Sequence, residues 1–173
     1  MFFGLGNRWH NWSPTNEYLS AVSQLDTITK LKSLMSKFVY KWDTLKILFW
    51  TVLWDNWQMP DQSLKDMFGD CEDAAILALD VLGRIQHREG ARLIVTFGYY
   101  MTNNKPKLMG HVVTAFEDGK GGYNIFSNDA IEYGFIDFMA ISRRFYPLGL
   151  KWQQVRNWEG KILNNRFKLF GVF

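Results

Sequence analysis

The sequence contains one cysteine, Cys71, which follows Gly69 and Asp70 where a helical pattern begins. A helix N-terminus offers unpaired N–H groups and a partial positive charge, which favour the thiolate form of a cysteine. His111 follows Gly110 in a segment with strand character. A thiol, a base and a group that orients the base are what nucleophilic catalysis requires. These residues predict an acyl-transfer site with Cys71 as nucleophile and His111 as base.

Polar residues follow the next predicted strand and are candidates for the orienting group. Ser127, Asn128 and Asp129 stand directly after residues 123–126. Strands joined by a hairpin lie side by side, so one of these residues can reach His111. The alternative stays open, because a lone cysteine is often a small buried hydrophobe without any chemical role.

The elements that must position these residues change character near residue 91. Before it, apolar residues recur at helical spacing, with a helix start at Ser13-Pro14 and a buried helix over residues 44–57. After it, apolar and polar residues alternate as in strands. The predicted strands are residues 91–98, 109–117 and 123–126, with edge strands at 152–158 and 166–173. Residues 131–136 are either a fourth strand or an extended lead into residues 138–145. The fold class is therefore α+β, with a helical N-terminal part, including the Cys71 helix, packed on an antiparallel sheet.

Composition limits the class of protein. The 173 residues are about one domain's worth, so we expect a single domain over residues 1–173. With 47% hydrophobic and 21% charged residues the chain can form a core, and one cysteine excludes an internal disulfide. The net charge of +3 is small and scattered, which argues against nucleic-acid partners.

Two features of the chain predict its location. The N-terminus lacks the basic and apolar regions of a signal peptide. The most apolar stretch, residues 45–57, is shorter than the roughly 20 residues that a membrane span needs. We therefore expect a cytoplasmic protein, or part of a phage particle, without a membrane span.

The residues around Cys71 resemble a known family. Gly69-Asp70-Cys71-Glu72-Asp73-Ala74-Ala75 is similar to the nucleophile motif of the transglutaminase-like cysteine proteases, in particular the bacterial transglutaminase-like cysteine proteinases. The similarity covers about residues 38–130. Its other parts are Phe38-Val39-Tyr40, Trp57-Gln58-Met59-Pro60, Gly110-His111-Val112-Val113 and Tyr123-Asn124-Ile125-Phe126.

This resemblance implies a papain-like fold and a thiol protease or related hydrolase, a peptidase or amidase acting on a peptide or protein. It implies an acyl-enzyme on Cys71, with Gln58 or Trp57 supplying an oxyanion donor and Gly69 and Gly110 leaving room for substrate. The family's third catalytic residue is usually an aspartate, and its slot here holds a serine. We therefore expect one of the next two residues to orient His111, since amide and carboxylate both serve in that role. These two residues are Asn128 and Asp129.

The resemblance also concerns metal binding. Some relatives use the acids beside this cysteine to hold Ca²⁺, so Asp70, Glu72 and Asp73 are calcium candidates. Three acids within four residues rarely complete a calcium coordination shell by themselves, and we expect no other cofactor.

A structural role is the alternative to an enzyme. Residues 1–5 and 167–173 are apolar and would dock on protein partners, as in a virion subunit with a catalytically weakened transglutaminase-like fold.

Overall fold

Five helices and ten strands make up the fold of the computed structural model, which describes residues 12–41, 44–47, 50–53, 57–85, 90–157 and 159–167. The helices are α1 (Asn16–Ser23), α2 (Ile28–Met35), α3 (Pro60–Asp66), α4 (Cys71–Arg84) and α5 (Phe138–Phe145). The strands are β1 (Val39–Tyr40), β2 (Thr44–Ile47), β3 (Trp50–Leu53), β4 (Phe68–Gly69), β5 (Arg92–Thr102), β6 (Lys105–Glu117), β7 (Tyr123–Ser127), β8 (Ala130–Phe135), β9 (Gly149–Asn157) and β10 (Ile162–Phe167).

A six-stranded antiparallel sheet with the order β10-β9-β5-β6-β7-β8 organises the second half of the chain. The α+β class predicted from the sequence is confirmed. The segment around residues 152–158 was expected at an edge, but β9 lies inside the sheet, because β10 pairs with its outer side. β5 pairs with β6 along its whole length, from Arg92 opposite Ala115 to Thr102 opposite Lys105.

Helix α4 packs on one face of the sheet, as predicted. Its small residues Ala74, Ala75 and Ala78 are fully buried and allow close approach to β6. The hydroxyl of Thr114 on β6 donates to the carbonyl of Ala75 and fixes the two elements together.

Helix α5 covers the opposite face. Ile141 of α5 packs there in a second buried cluster with residues of β5, β6 and β7. On β6, Val113 and Ala115 face α5, whereas Val112 and Phe116 belong to the cluster around α4. This alternation decides on which face each residue of the site lies.

The helix predicted over residues 44–57 is wrong. The structure has two antiparallel strands there, β2 and β3, with Ile47 opposite Trp50. Short, nearly continuous apolar runs do not distinguish helix from strand by periodicity, and the β-branched and aromatic residues of this run favour strand.

The start of α1 also differs from its prediction. Thr15 caps the helix through its hydroxyl, which accepts from the Tyr18 N–H at 3.1 Å, and Ser13-Pro14 precede it. No helix among the described residues is long and apolar enough to cross a membrane. Residues 1–11 and 168–173 lie outside the described residues, so the single-domain assignment and the docking role of both termini stay predictions.

Candidate active site

Cys71 is the first residue of α4, and a buried aspartate organises the backbone around it. The Asp73 carboxylate accepts from the Gln58 N–H at 2.7 Å and from the Asp70 N–H at 3.2 Å. Asp73 is fully buried, so both hydrogen bonds are shielded from water. One side chain thus ties the lead-in segment to the start of the nucleophile helix.

Gly69 leaves space for the Asp73 carboxylate, a role that the sequence did not indicate. A Cβ at Gly69 would lie 2.3 Å from Oδ2 of Asp73, so only glycine leaves space for that carboxylate. The Gly69 carbonyl accepts from the Lys41 N–H at 2.7 Å, within the parallel pairing of β1 and β4. The resemblance predicts that Gly69 leaves room for substrate, but the side chain that the structure places against Gly69 is that of Asp73.

The Cys71 thiol is partly buried and donates a hydrogen bond to Oε2 of Glu72 at 3.1 Å. Burial raises the pKa of Cys71 well above its usual value, and the carboxylates of Glu72 and Asp70 raise it further. The Val112 backbone N–H hydrogen bonds to the sulfur and lowers the pKa by less. The expected lowering of the thiol pKa is therefore wrong, because burial and two carboxylates outweigh the helix terminus.

His111 lies on the face of β6 that α5 covers. Its Nε2 is 3.0 Å from Oγ of Ser127, and its ring makes a T-shaped contact with the Phe145 ring, with centroids 4.5 Å apart. Burial lowers the pKa of His111 to about 4. The imidazole is therefore neutral at pH 7.

The Cys71 thiol lies against β6 beside the residue that carries the imidazole. Cys71 contacts the backbone at Val112, the residue next to His111. Tyr40 and Tyr146 lie near the thiol, since the charge of Cys71 adds to burial in raising the pKa of both phenols. No motif pointed to Tyr146, which follows α5 in the chain.

The side chain that the structure places against His111 is Ser127 instead of Asn128 or Asp129. Alternate residues of a strand share a face, so Ser127 lies on the α5 side of β7 with Ile125. Asn128 already has a left-handed backbone, with φ of 54°, and begins the turn to β8, and Asp129 is exposed. Counting from Tyr123 places Ser127 in the family's third position, a signal present in the sequence.

The expected oxyanion and substrate residues lie near this centre. The Gln58 backbone is held by Asp73, and its side-chain oxygen is buried without a hydrogen-bond partner among the described residues. Trp57 packs against the core around α4. Gly110 lines a cleft of about 320 Å³, together with Tyr40, His111 and Tyr146.

The acids beside Cys71 do not form a calcium site in the described part of the chain, where no cluster of three or more His, Cys, Asp or Glu residues is placed to hold a metal ion. Asp73 uses its oxygens on two backbone N–H groups, and Glu72 accepts from the thiol. In this structure the carboxylates of Asp73 and Glu72 therefore serve the helix start and the thiol.

Comparison with known proteins gives structural neighbours only. No family model and no curated protein matches the sequence. Among solved structures, calcium-bound LapG of Legionella pneumophila superposes with a TM-score of 0.48 and 20% identity, covering 78% of this chain and 68% of LapG. EGTA-treated LapG gives a TM-score of 0.46 and 22% identity, covering 76% and 62%. The chain therefore spans about two thirds of the length of these LapG chains.

Proposed function

We propose that this protein is a transglutaminase-like cysteine hydrolase that cleaves peptide or amide bonds of a peptide or protein substrate. The observation that supports this proposal is that Cys71 contacts β6 at Val112, the residue next to His111. The sulfur accepts from the N–H of Val112, the residue that follows His111, and the imidazole of His111 is held by Ser127. An open cleft of about 320 Å³ adjoins the imidazole.

In the proposed reaction the Cys71 sulfur forms a bond to the acyl carbon while its proton passes to His111. The carbonyl oxygen takes up negative charge and is stabilised by the Cys71 backbone N–H and the Gln58 side chain. His111 then gives the proton to the leaving amine, and the carbon–nitrogen bond breaks. Water hydrolyses the resulting thioester with His111 as base and regenerates the thiol.

The resting state of this site is a neutral pair. The thiol pKa is raised well above its usual value, and the imidazole pKa is lowered to about 4. Proton transfer must therefore accompany attack on the substrate, because no thiolate–imidazolium pair exists beforehand. Substrate binding that expels water and moves the thiol from Glu72 towards His111 would promote this transfer.

The same neutral pair favours a second candidate function, a catalytically weakened scaffold within a larger assembly such as a virion. Ser127 brings no negative charge to stabilise a protonated His111. A scaffold of this kind would keep the fold and lose turnover.

A direct test compares the wild-type chain with Cys71→Ala and His111→Gln on a pool of protein-derived peptides, with cleavage followed by mass spectrometry. We expect cleavage by the wild type, none by Cys71→Ala, and a loss of about 100-fold or more for His111→Gln. Met101→Ala, at an exposed position on β5, is the matched control and should cleave as the wild type does.

The scaffold function would be supported instead if the folded wild-type protein cleaves no peptide and does not react with a peptidyl electrophile at Cys71. Cleavage that survives in Cys71→Ala would rule out the thiol as nucleophile.

A further inference from the structure

The inner wall of the cleft beside His111 is formed by Tyr146, which is held against the backbone of β5. Gly98 on β5 carries no side chain, and a Cβ there would lie 2.7 Å from the Tyr146 ring. Tyr146 therefore rests directly on the β5 backbone and is only 3% exposed. Its hydroxyl points to the Thr96 carbonyl at 3.5 Å, which fixes the inner wall of the cleft.

The outer wall is formed by side chains that hold one another. The Tyr100 hydroxyl donates to the sulfur of Met109 at 2.7 Å. Phe145 stands against the His111 ring and closes the side next to α5. The phenol groups of this wall are engaged within the protein, so the surfaces offered to the cleft are ring faces and a thioether.

The lining residues that the structure describes carry no charge at neutral pH. They are tyrosines, Phe145, Met109, Gly110 and His111, and the imidazole is neutral because burial lowers its pKa to about 4. A charged group placed here would lose its hydration without gaining a partner among them. An apolar or aromatic group would gain dispersion contacts and ring stacking.

The cleft also has a fixed position relative to the reacting atoms. His111 and Gly110 form one end, and Tyr40 and Tyr146 on its lining are the two phenols near the Cys71 sulfur. A substrate with its acyl carbon at that sulfur places a neighbouring side chain in the cleft. The volume of about 320 Å³ lies at the lower end of the range for small-ligand pockets and suits one large side chain.

We infer that this cleft is the specificity pocket of the site and selects substrates with an aromatic or large aliphatic residue beside the bond that is attacked. The inference rests on the proposed function for its link to cleavage. Binding of the side chain itself depends only on the cleft.

The first experiment measures binding without turnover. N-acetyl amides of Phe, Leu, Ala and Lys are titrated into full-length Cys71→Ala, and dissociation constants are read from NMR shifts. Burial of a large apolar side chain predicts that the Phe and Leu amides bind about 10- to 100-fold more tightly than the Ala amide. We expect the Lys amide to bind no better than Ala. Equal affinities for Phe and Ala, or tightest binding of Lys, would overturn the inference.

A pair of matched substitutions locates the binding. Met109→Glu places a carboxylate in the cleft and should weaken binding of the Phe amide at least tenfold. Met101→Glu adds the same charge at a position that is 48% exposed and should change the affinity for the Phe amide less than twofold. Met109→Ala, which adds no charge, should also weaken it if Met109→Glu fails to fold. Equal effects at positions 101 and 109 would contradict the assignment.

The two proposals fail separately. Selective amide binding without any peptide cleavage refutes the hydrolase and leaves the pocket standing. Cleavage that depends on Cys71 but occurs equally beside Phe, Ala and Lys refutes the pocket and leaves the hydrolase standing.

Discussion

The hydroxyl of Ser127 lies 3.0 Å from Nε2 of His111, at the end of the strand that neighbours the histidine. A hydroxyl orients an imidazole by hydrogen bonding but adds no negative charge that would favour its protonated form. Burial therefore acts without opposition from this partner and leaves the pKa of His111 at about 4.

Ser127→Asp should raise the pKa of His111 by about 1–3, because a carboxylate within hydrogen-bond distance stabilises the imidazolium. NMR titration of the imidazole protons measures this directly. Ser127→Asn is the control, since it can hydrogen bond without charge. The same pKa of His111 in both variants would mean that the introduced carboxylate at position 127 does not reach the imidazole.

Folding stability should fall as the pH drops from about 6.5 to 4. The folded-state pKa of His111 is lowered from 6.5 to about 4, so the unfolded chain binds more protons in this window. The contribution of His111 to the free energy of unfolding is fully present above pH 6.5 and amounts to at most about 3.4 kcal/mol. Urea unfolding of the wild type and His111→Gln at pH 7 and pH 4.5 checks it. We expect the free energy of unfolding of the wild type to fall more between pH 7 and pH 4.5 than that of His111→Gln. An equal fall in both proteins would contradict the lowered pKa of His111.

Alkylation of Cys71 by iodoacetamide should be slow at pH 7 and should still be rising above pH 8.5, because burial, then Glu72 and Asp70, raise the thiol pKa. Glu72→Gln removes one negative charge and should increase the rate at pH 8. Glu117→Gln, at an exposed position on β6, should leave the rate unchanged. A slower reaction in Glu72→Gln would show that the carboxylate does not stabilise the protonated thiol.

Gly69→Ala should destabilise the fold by about 1–3 kcal/mol, because the added Cβ would lie 2.3 Å from the buried Asp73 carboxylate. Gly90→Ala is the matched control, since its nearest neighbours, at 3.1 Å, belong to the flexible Glu117 side chain. Denaturant midpoints compare the two. Equal small losses would mean that Asp73 moves aside without cost.

The sequence predicted those elements whose local pattern is long and consistent with the global fold. Strands β5, β6 and β7 were predicted within four residues of their observed bounds, and the predicted helix start at Cys71 is the start of α4. The segment of β2 and β3 was mistaken for a helix, because an apolar run of that length carries no decisive period.

The site was predictable where it depends on chain order. Cys71 at the start of α4 and His111 on the next strand pair follow from pattern alone. The raised pKa of the Cys71 thiol could not be predicted from the sequence, because it depends on burial and on the contact between Glu72 and the sulfur. No sequence pattern indicated that Tyr146 and Gly98 belong to the site, because the two residues come into contact only in the folded chain.

The pairing of β1 with β4 has a consequence for the order in which the molecule folds. Strands β5 to β8 follow one another as antiparallel neighbours and close short loops, whereas Tyr40 meets Gly69 only after a much longer segment has closed. The hairpins of the sheet are therefore expected to form before the backbone around Cys71 is completed. Until then the thiol remains open to solvent, so pulsed alkylation during refolding would time the last step of assembly through the one cysteine of the chain.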